Sequence, residues 1–506
     1  MYKLTLYLLV FWVVVATIGA IFGFLPDYSP INILTTAFVA VTFCYISNFV
    51  FAKLFNAITN TESVFITALI IALVVPVNMQ NSYIISALVS VIAMVSKYLV
   101  AIEKRHIINP AVAGLLGMAL LFGENSARWW VGSTYMFPFV AVGGFLLVRK
   151  TRREAMVYTF IGVNLLIVCF AAFTRGYDPS NFLASSVASI LLALRQSLLQ
   201  SALIFFAVVM LIEPLTSPTS KLKQIYYAVF VAFLHATPQL RITSFVFTPE
   251  MALYAGNIFA YIISPNSRLV LTLKEKVQLS KDTVAFIFST LQSFKFLPGQ
   301  YLEWTIPHKK TDNRGNRRYF SLASSPTEST PTIVVKYYDP PSSYKKELFS
   351  LPLGTSIIAS QLSGDFVLPK DLSKHLVLIA GGVGFAPFRS MIKYIMDNKI
   401  KVNITLLFSN KTEDDILYKD LLREAENSGI KTVNILTEEK DVPLNWTEEK
   451  GHITGDMIKK LIPDFNNVTY YISGPQIMVQ NIEKTLLETG ISKKNIKTDF
   501  FPGYSS

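Results

Sequence analysis

Charge is distributed very unevenly along the 506-residue chain, and this distribution limits the folds that it can adopt. Before Pro265, long apolar runs contain almost no Lys, Arg, Asp or Glu, whereas the remainder is rich in all four. Hydrophobic residues make up 52% of the chain and charged residues 16%, a balance too apolar for a protein that is soluble along its whole length. We therefore predict a multidomain protein with its first half in membrane lipid and its second half in water.

Ten apolar runs before Pro265 are long enough to cross the roughly 30 Å hydrocarbon core of a bilayer. They span residues 4–24, 33–52, 63–79, 82–101, 109–123, 131–149, 154–174, 196–213, 223–238 and 250–264. Basic residues concentrate in alternate connecting loops, as at Lys104-Arg105 and Arg149-Lys150, and the positive-inside rule assigns those loops to the cytoplasm. The sequence predicts an all-α polytopic bundle of about ten helices in the inner or plasma membrane, with the C-terminal half in the cytoplasm. Residues 180–195 belong to none of these ten runs, and we expect them to form a re-entrant or interfacial helix.

Several site classes are excluded by composition. The net charge of +12 does not indicate nucleic-acid binding, because basic residues lie between apolar segments where the positive-inside rule expects them. Cys44 and Cys169 are the only cysteines, and an iron–sulfur cluster needs four ligands. His106 and His235 are the only histidines near lipid, too few for two haems held by facing pairs. We therefore predict no nucleic-acid partner and no metal.

Four segments of the first half carry a family resemblance. They are residues 67–76 (TALIIALVVP), 96–98 (SKY), 106–111 (HIINPA) and 213–219 (EPLTSPT). In this order they resemble the flavin-binding membrane subunit of the sodium-translocating NADH:quinone reductase and its relative in the Rnf complex. The resemblance implies flavin within the helix bundle and additional membrane subunits as partners.

That family often links FMN to the Thr of a Ser-Gly-Ala-Thr motif, which this sequence lacks. The corresponding region, residues 181–189, reads NFLASSVAS. The resemblance therefore extends neither to a covalent flavin nor to ion pumping. We expect a second, non-covalent flavin, FMN or riboflavin, in the membrane domain.

After Pro265 the sequence changes to short runs of alternating apolar and polar residues, as at 269–273, 284–288 and 333–337. These are strand signals of a small antiparallel barrel. From His375 onward, apolar strand candidates such as 376–380 and 404–408 alternate with helical stretches, which predicts a parallel sheet flanked by helices. The predicted domains are a transmembrane helical domain at 1–264, a β-barrel domain at 266–370 and a nucleotide-binding α/β domain at 371–506.

A glycine-rich turn joins a predicted strand to a predicted helix at residues 381–387 (GGVGFAP). Glycines let backbone approach a pyrophosphate closely, and the N-terminus of the following helix faces negative charge. The candidate binding residues are Gly381, Gly382, Gly384 and Pro387. The alternative is a tight turn that uses glycine for structural reasons alone.

The segment 318–324 (RYFSLAS) places a cation, aromatic rings and a hydroxyl along one predicted strand. Alternate residues Arg318 and Phe320 share a face, while Tyr319 and Ser321 are their neighbours. A flavin needs these groups: a guanidinium for phosphate, an aromatic platform for its ring system and a hydroxyl for the ring edge. The alternative is a plain strand with an exposed Arg.

Three further segments carry candidate binding residues. Ser342 or Ser343 can cap a short helix whose free amides meet phosphate, although capping alone is the simpler explanation. Gly474 and Pro475 form a turn after a strand, at the sheet edge where ligands of open α/β folds bind. Tyr504, in the C-terminal tail, can stack on a flavin or merely hold the terminus in place.

Together these elements resemble the ferredoxin–NADP reductase family over almost all of residues 266–506. The resemblance implies a barrel that binds FAD and a Rossmann-like domain that binds NADH or NADPH. It places Arg318, Phe320 and Ser321 on the flavin, and the glycine-rich turn with Pro387 on the nicotinamide side. Two positions depart from the family: Phe320 replaces the commoner Tyr, and Ser473 stands where many members carry Cys before Gly-Pro. Ser321 and Ser473 are the predicted catalytic residues.

The predicted activity is electron transfer from NAD(P)H through FAD to a membrane acceptor such as quinone, or to an acceptor beyond the membrane. Acidic residues in segment 409–415 (SNKTEDD) favour NADH over NADPH, although Lys411 works against this preference. Two alternatives remain open. One is a cytoplasmic flavin reductase with a passive membrane anchor, and the other is a flavin-binding transporter or sensor.

Overall fold

The computed structural model describes residues 2–55, 61–79, 81–102, 105–122, 127–175, 182–240, 247–264, 269–308, 311–312, 314–438, 442–443 and 446–501. The chain divides into two compact units, Met1–Ser267 with Asn313–Gly315, and Arg268–Asp312 with Asn316–Ser506. The sequence-predicted boundary near residue 265 lies outside the described residues. The first unit is helical, and the second contains two six-stranded sheets.

The helices of the first unit are α1 (Tyr2–Ile21), α2 (Pro30–Leu54), α3 (Thr61–Val74), α4 (Ser82–Leu99), α5 (Pro110–Phe122), α6 (Phe137–Thr151), α7 (Glu154–Arg175), α8 (Phe182–Leu199), α9 (Leu203–Phe205), α10 (Lys221–Leu240) and α11 (Pro249–Ile263). A π-helix, Phe206–Met210, continues α9, and the short strands β1 (Ala101–Ile102) and β2 (Arg105–His106) precede α5. Many apolar side chains, such as Phe11 and Phe38, remain exposed on the outside of this unit.

Ten membrane crossings are not supported. Among the described helices, four have the length and apolar composition of a membrane span: Lys3–Ile21 within α1, and α2, α4 and α7. The segments Ser186–Leu199 and Leu203–Met210, bent by 56°, make a fifth span if they cross as one, or a re-entrant loop. No membrane is present in the structure, so these helices are candidates by length and composition.

The difference from ten arises because several apolar runs fold into helices shorter than the runs. Helices α3, α5, α6 and α11 have 14, 13, 15 and 15 residues. At a rise of about 1.5 Å per residue, these helices span roughly 20–23 Å, less than the hydrocarbon core. Helix α10 has 20 residues, but Lys223, Gln224 and His235 interrupt its apolar sequence.

Breaks between these short helices are held by specific backbone contacts. Helix α3 ends at Val74, two residues before Pro76. The Val74 carbonyl then accepts hydrogen bonds from the backbone N–H groups of Arg128 and Trp129, at 2.8 and 3.0 Å. Because unpaired backbone groups are costly away from water, such contacts allow irregular backbone inside the bundle.

A largely buried polar network joins two of the segments that carry the membrane-subunit resemblance. His106 Nε2 lies 3.4 Å from Glu213 Oε1, and Thr216 Oγ1 donates to Glu213 Oε2 at 2.9 Å. The fully buried Asn257 accepts from the Asn109 backbone N–H at 2.9 Å and donates to the Thr216 carbonyl at 3.2 Å. Segments 106–111 and 213–219, about a hundred residues apart in sequence, therefore meet around one asparagine.

In the second unit, the first sheet is antiparallel, as predicted. Its strands are β3 (Leu269–Ser280), β4 (Thr283–Ser289), β5 (Tyr301–Thr305), β6 (Arg317–Ser321), β7 (Thr332–Lys336) and β8 (Ser356–Ser363). Their order is β6-β5-β8-β3-β4-β7. Alternating apolar side chains such as Leu271, Phe286 and Trp304 fill its interior, and helix α12 (Ser343–Ser350) contributes Tyr344 and Leu348.

The second sheet is parallel in every pair of described strands, which agrees with the predicted α/β domain. It contains β9 (Leu376–Gly381), β10 (Ile404–Asn410), β11 (Lys431–Leu436), β12 (Glu449–Lys450), β13 (Thr469–Pro475) and β14 (Ile496–Phe501), in the order β12-β11-β10-β9-β13-β14. Its helices are α13 (Ala386–Asp397), α14 (Lys419–Asn427), α15 (Gly455–Leu461) and α16 (Gln476–Glu488). The central strands β9 and β10 are buried along almost their whole length, and their sequences are nearly continuous apolar runs.

Candidate functional site

The glycine-rich turn lies at the carboxyl end of β9, the edge at which ligands of open α/β sheets bind. Gly382 has a φ of 49°, in the left-handed region that favours glycine, and open space surrounds its α-carbon. A side chain at Gly384 would overlap the Ser473 carbonyl oxygen and Gly474. The turn continues as a 3-10 helix into α13, whose first turn contains Pro387. This close approach of two backbone segments requires Gly384.

Ser473 lies next to this turn, on β13. Its side chain is fully buried, and its Oγ has no hydrogen-bond partner among the described residues. Ser473 pairs with Ala380 of β9 on one side and Asp499 of β14 on the other. Gly474 and Pro475 follow, and α16 begins directly after them. The structure thus brings Ser473, Gly474 and Pro475 together with the glycine-rich turn.

The predicted flavin-binding strand is β6, paired with β5 so that Arg318 lies opposite Trp304 and Phe320 opposite Leu302. Arg318 and Phe320 both face the Tyr344 ring, at 5.0 and 5.9 Å. Ser321 is 3% exposed, and within the described chain its Oγ has no hydrogen-bond partner. Tyr319 points the other way and is exposed.

Ser342 and Ser343 lie at the N-terminus of α12, and only one of them is the cap. Ser342 Oγ accepts a hydrogen bond from the Lys345 backbone N–H at 3.2 Å, which is the N-cap contact. Ser343 is the first helical residue, and its Oγ accepts from the Asp312 backbone N–H at 2.9 Å. Its own backbone N–H points out of the helix end.

Asp312 is a neighbour of this site that the sequence pattern did not identify. Its carboxylate accepts from Arg318 Nη2, at 3.3 Å to Oδ1 and 3.4 Å to Oδ2. It also accepts from the Ser343 backbone N–H at 3.1 Å. The guanidinium and the helix amide that were predicted for a flavin phosphate therefore converge on one anion, and in this structure that anion is Asp312.

Lys336 and Asp415 form a second pair that the sequence pattern missed. Lys336 Nζ, at the end of β7, lies 3.1 Å from Asp282 and 3.4 Å from Asp415. Burial disfavours the charged Lys336, but hydrogen bonding to Asp282 and the negative charge of Asp415 outweigh it, so the pKa of Lys336 is raised. Lys336 therefore stays charged and links the antiparallel sheet to the loop after β10.

Helix α13 makes further contacts with the barrel-side segment that follows β6. Arg389 donates to the Ala323 carbonyl at 3.1 Å and pairs with Glu328, with Nη2 2.8 Å from Oε1. The buried Ser390 Oγ donates to the Ser324 carbonyl at 2.7 Å. One helix thus extends from the glycine-rich turn to the segment directly after Ser321.

The residues present fit a flavin and a nicotinamide dinucleotide. Two buried hydroxyls, on Ser321 and Ser473, lack partners within the described residues, and a bound ligand can supply them. The turn at Gly382 is open for backbone approach to phosphate, and Arg318 with the Ser343 amide already binds a carboxylate. The described residues contain no group of three or more His, Cys, Asp or Glu that could hold a metal ion. Tyr504 lies outside the described residues.

Residues 378–484 match the protein family described as oxidoreductase NAD-binding domain. The chain is 27% identical over 244 residues to NADH-cytochrome b5 reductase 1 of Emericella nidulans, and this alignment covers 46% of this chain and 77% of the relative. It is 27% identical over 240 residues to Flavohemoprotein A of Dictyostelium discoideum, where the alignment covers 45% of this chain and 58% of the relative. Among solved structures, Amycolatopsis cytochrome P450 reductase GcoB matches at 23% identity and a TM-score of 0.43, over 47% of this chain and 71% of that one.

These similarities lie in the C-terminal half of the chain. They confirm the prediction that the protein is an enzyme, an oxidoreductase of the ferredoxin–NADP reductase type that uses FAD and NAD(H). The chain spans less than two thirds of the flavohemoprotein, and about three quarters of the cytochrome b5 reductase.

Proposed function

We propose that the protein is a membrane-bound flavoenzyme that passes electrons from NADH or NADPH through FAD to an acceptor in the membrane, such as quinone, or beyond it. The observation that carries this proposal is the presence, in one chain, of an oxidoreductase unit and of four helices long and apolar enough to cross a bilayer. Helices of this length attach an enzyme to the bilayer, in which acceptors such as quinone are dissolved.

In this proposal the chain's own residues bind and orient the cofactors. Arg318 and the N-terminus of α12 bind phosphate of the flavin, and the Ser321 hydroxyl donates a hydrogen bond to its ring edge. The glycine-rich turn binds the pyrophosphate of the dinucleotide, and Ser473 orients the nicotinamide. FAD, when bound, would supply the redox chemistry, in which the two electrons of one hydride are taken from NADH or NADPH and passed on one at a time. The protein holds the two rings together and excludes water.

For the membrane half we propose an active role rather than passive anchoring. One span suffices as an anchor, whereas this unit buries His106 and Arg153 among apolar helices and pairs His106 with Glu213. Ionisable groups in such surroundings are expensive to bury and tend to serve function. The resemblance of segments 67–76 and 213–219 to the flavin-binding membrane subunits supports a second, non-covalent flavin here and additional subunits as partners.

A haem protein is the second candidate acceptor. The relatives of the C-terminal half are named cytochrome b5 reductases and flavohemoproteins, and both names refer to haem proteins. In this proposal, the haem belongs to a separate protein that accepts electrons from this one.

The test uses purified full-length protein in liposomes with NADH added outside. NADH oxidation should proceed with quinone in the bilayer, or with an impermeant acceptor sealed inside the vesicle. Gly384→Val is the matched control: it blocks the dinucleotide turn by overlap with Ser473 and should abolish oxidation while FAD stays bound.

The location of the acceptor decides between the alternatives. If NADH is oxidised only with an acceptor outside the vesicle, and neither with quinone nor with the sealed acceptor, the protein is a reductase with a passive membrane anchor. Dependence on added cytochrome would favour the haem acceptor.

A further inference from the structure

His308 follows strand β5 and is hydrogen-bonded through both nitrogens of its ring. Its Nδ1 lies 2.9 Å from the Ile306 carbonyl oxygen, and its Nε2 lies 3.1 Å from Ser343 Oγ. A carbonyl oxygen only accepts hydrogen bonds, so Nδ1 carries a hydrogen whether His308 is neutral or charged. The proton that His308 can gain or lose is therefore the one on Nε2, the nitrogen that faces Ser343.

The Ser343 hydroxyl connects this ring to the carboxylate of Asp312. Ser343 Oγ accepts from the Asp312 backbone N–H at 2.9 Å, and the Ser343 backbone N–H donates to the Asp312 carboxylate at 3.1 Å. Arg318 donates to the same carboxylate at 3.3 Å. A short chain of contacts thus leads from His308 through Ser343 to the anion at the N-terminus of α12. The proposed position of the flavin phosphate is at these same donors.

The protonation state of His308 decides where the Ser343 hydroxyl can donate. A serine hydroxyl has one hydrogen and two lone pairs. When His308 is neutral, Nε2 accepts that hydrogen, and the hydroxyl has none to offer an anion. When His308 is charged, Nε2–H and the Asp312 N–H occupy the two lone pairs, and the hydroxyl hydrogen is released toward the end of α12. An anion there gains a donor and a nearby positive charge.

The other charged groups that the described contacts place here do not reverse this effect. Arg318 and Asp312 pair with each other. Lys345 Nζ donates to the Lys336 carbonyl at 2.6 Å and lies 4.3 Å from the Tyr338 ring, so its charge is held beside the end of β7. When FAD binds, a phosphate joins the carboxylate at this position. The larger negative charge then favours the protonated imidazole.

We propose that His308 is a positioning residue for the flavin phosphate and acts through the Ser343 hydroxyl, so that FAD binding draws a proton from water onto Nε2. This rests on the proposed placement of the phosphate at Arg318 and the N-terminus of α12. Histidine ordinarily changes its charge between about pH 5 and pH 8. FAD should therefore bind more tightly in the lower part of this range than in the upper part.

The test titrates flavin-depleted full-length protein with FAD in a calorimeter, at about pH 6 and about pH 8. The wild type should bind FAD about fivefold more tightly at the lower pH. Midway between these values, the heat of binding should differ between two buffers of unequal ionisation enthalpy, because the buffer supplies the proton. A purely structural role for His308 predicts neither effect.

Two variants and a control separate this connection from other causes. His308→Gln carries an amide that can always donate to Ser343 Oγ and cannot titrate, so its FAD affinity should be nearly equal at both pH values. Ser343→Ala removes the hydroxyl but keeps the backbone N–H, and it should lose most of the pH dependence although His308 still titrates. His375→Gln is the matched control and should keep the wild-type pH dependence, because His375 is also hydrogen-bonded through both ring nitrogens, to Asp464 and Thr405.

Equal FAD affinity of the wild type at the two pH values would overturn the inference alone, and so would full pH dependence in His308→Gln or Ser343→Ala. If His308→Gln does not fold, the proton uptake of the wild type and the Ser343→Ala titration still decide. If Arg318→Ala binds FAD as tightly as the wild type, the phosphate lies elsewhere, and its proposed placement falls together with this inference.

Discussion

Replacing Asp312 with Asn should strengthen the binding of FAD. In the structure, the Asp312 carboxylate accepts from both Arg318 and the Ser343 backbone N–H, the two groups proposed for a flavin phosphate. A phosphate must displace this carboxylate before it can bind the same donors. An asparagine at this position keeps the shape of the side chain but removes the charge, so it competes less well for the guanidinium.

The size of the effect follows from the burial of the pair. A hydrogen bond to a charged group contributes about 1.5–3 kcal/mol. The side chains of Arg318 and Asp312 are 12% and 28% exposed. Solvent screening at Asp312 reduces the contribution to about 1 kcal/mol, because ion pairs near the surface are weakened by water. Loss of that competition should lower the Kd for FAD about five-fold.

The assay is a titration of flavin-depleted full-length protein with FAD, followed by quenching of flavin fluorescence. Riboflavin, which has no phosphate, serves as the second ligand, and its affinity should not change. Asp371→Asn is the control for net charge, because Asp371 is an exposed carboxylate that accepts from Ser373 in its own loop. Equal or weaker FAD binding by Asp312→Asn would refute the competition, and so would an equal gain for riboflavin.

Three further predictions concern the cofactors. Arg318→Ala should lose a contact of about 1.5–3 kcal/mol and purify with much less flavin, whereas unchanged flavin absorbance at limiting FAD would contradict its role. The specificity constant should be higher for NADH than for NADPH, because Asp415 and its acidic neighbours disfavour an added phosphate; a ratio below one would contradict this. Acid precipitation should release all flavin into the supernatant, and a fluorescent band that persists on a denaturing gel would show a covalent flavin instead.

The second half of the chain was predictable because its signals are local. The apolar segments 376–380 and 404–408 correspond to strands Leu376–Gly381 and Ile404–Asn410, and the glycine-rich turn lies directly after the first. Fully buried parallel strands are continuous apolar runs, and glycines mark the turn between strand and helix. The positions of these elements required no knowledge of the tertiary fold.

The number of membrane spans was not predictable in this way. Run 63–79 continues past Val74, where the helix ends, and although Pro76 marks the break, no charged residue interrupts the apolar run there. Hydrophobicity reports solvent preference along the chain, whereas the Val74 carbonyl at the break is paired by the N–H groups of Arg128 and Trp129, far away in sequence. The same limit applies to Asp312, whose contact with the Ser343 backbone N–H joins residues 31 positions apart in sequence.

Helix α13 has a mechanical consequence for the enzyme. It begins at the turn proposed for the dinucleotide, and its Arg389 and Ser390 are fastened to the carbonyls of Ala323 and Ser324, next to Ser321. The helix therefore acts as a rigid spacer that fixes the separation of the two cofactor positions. A change in the length or tilt of this one helix would alter both positions together. With FAD and the dinucleotide at the proposed positions, we expect these contacts of α13 to set the ring-to-ring distance for hydride transfer.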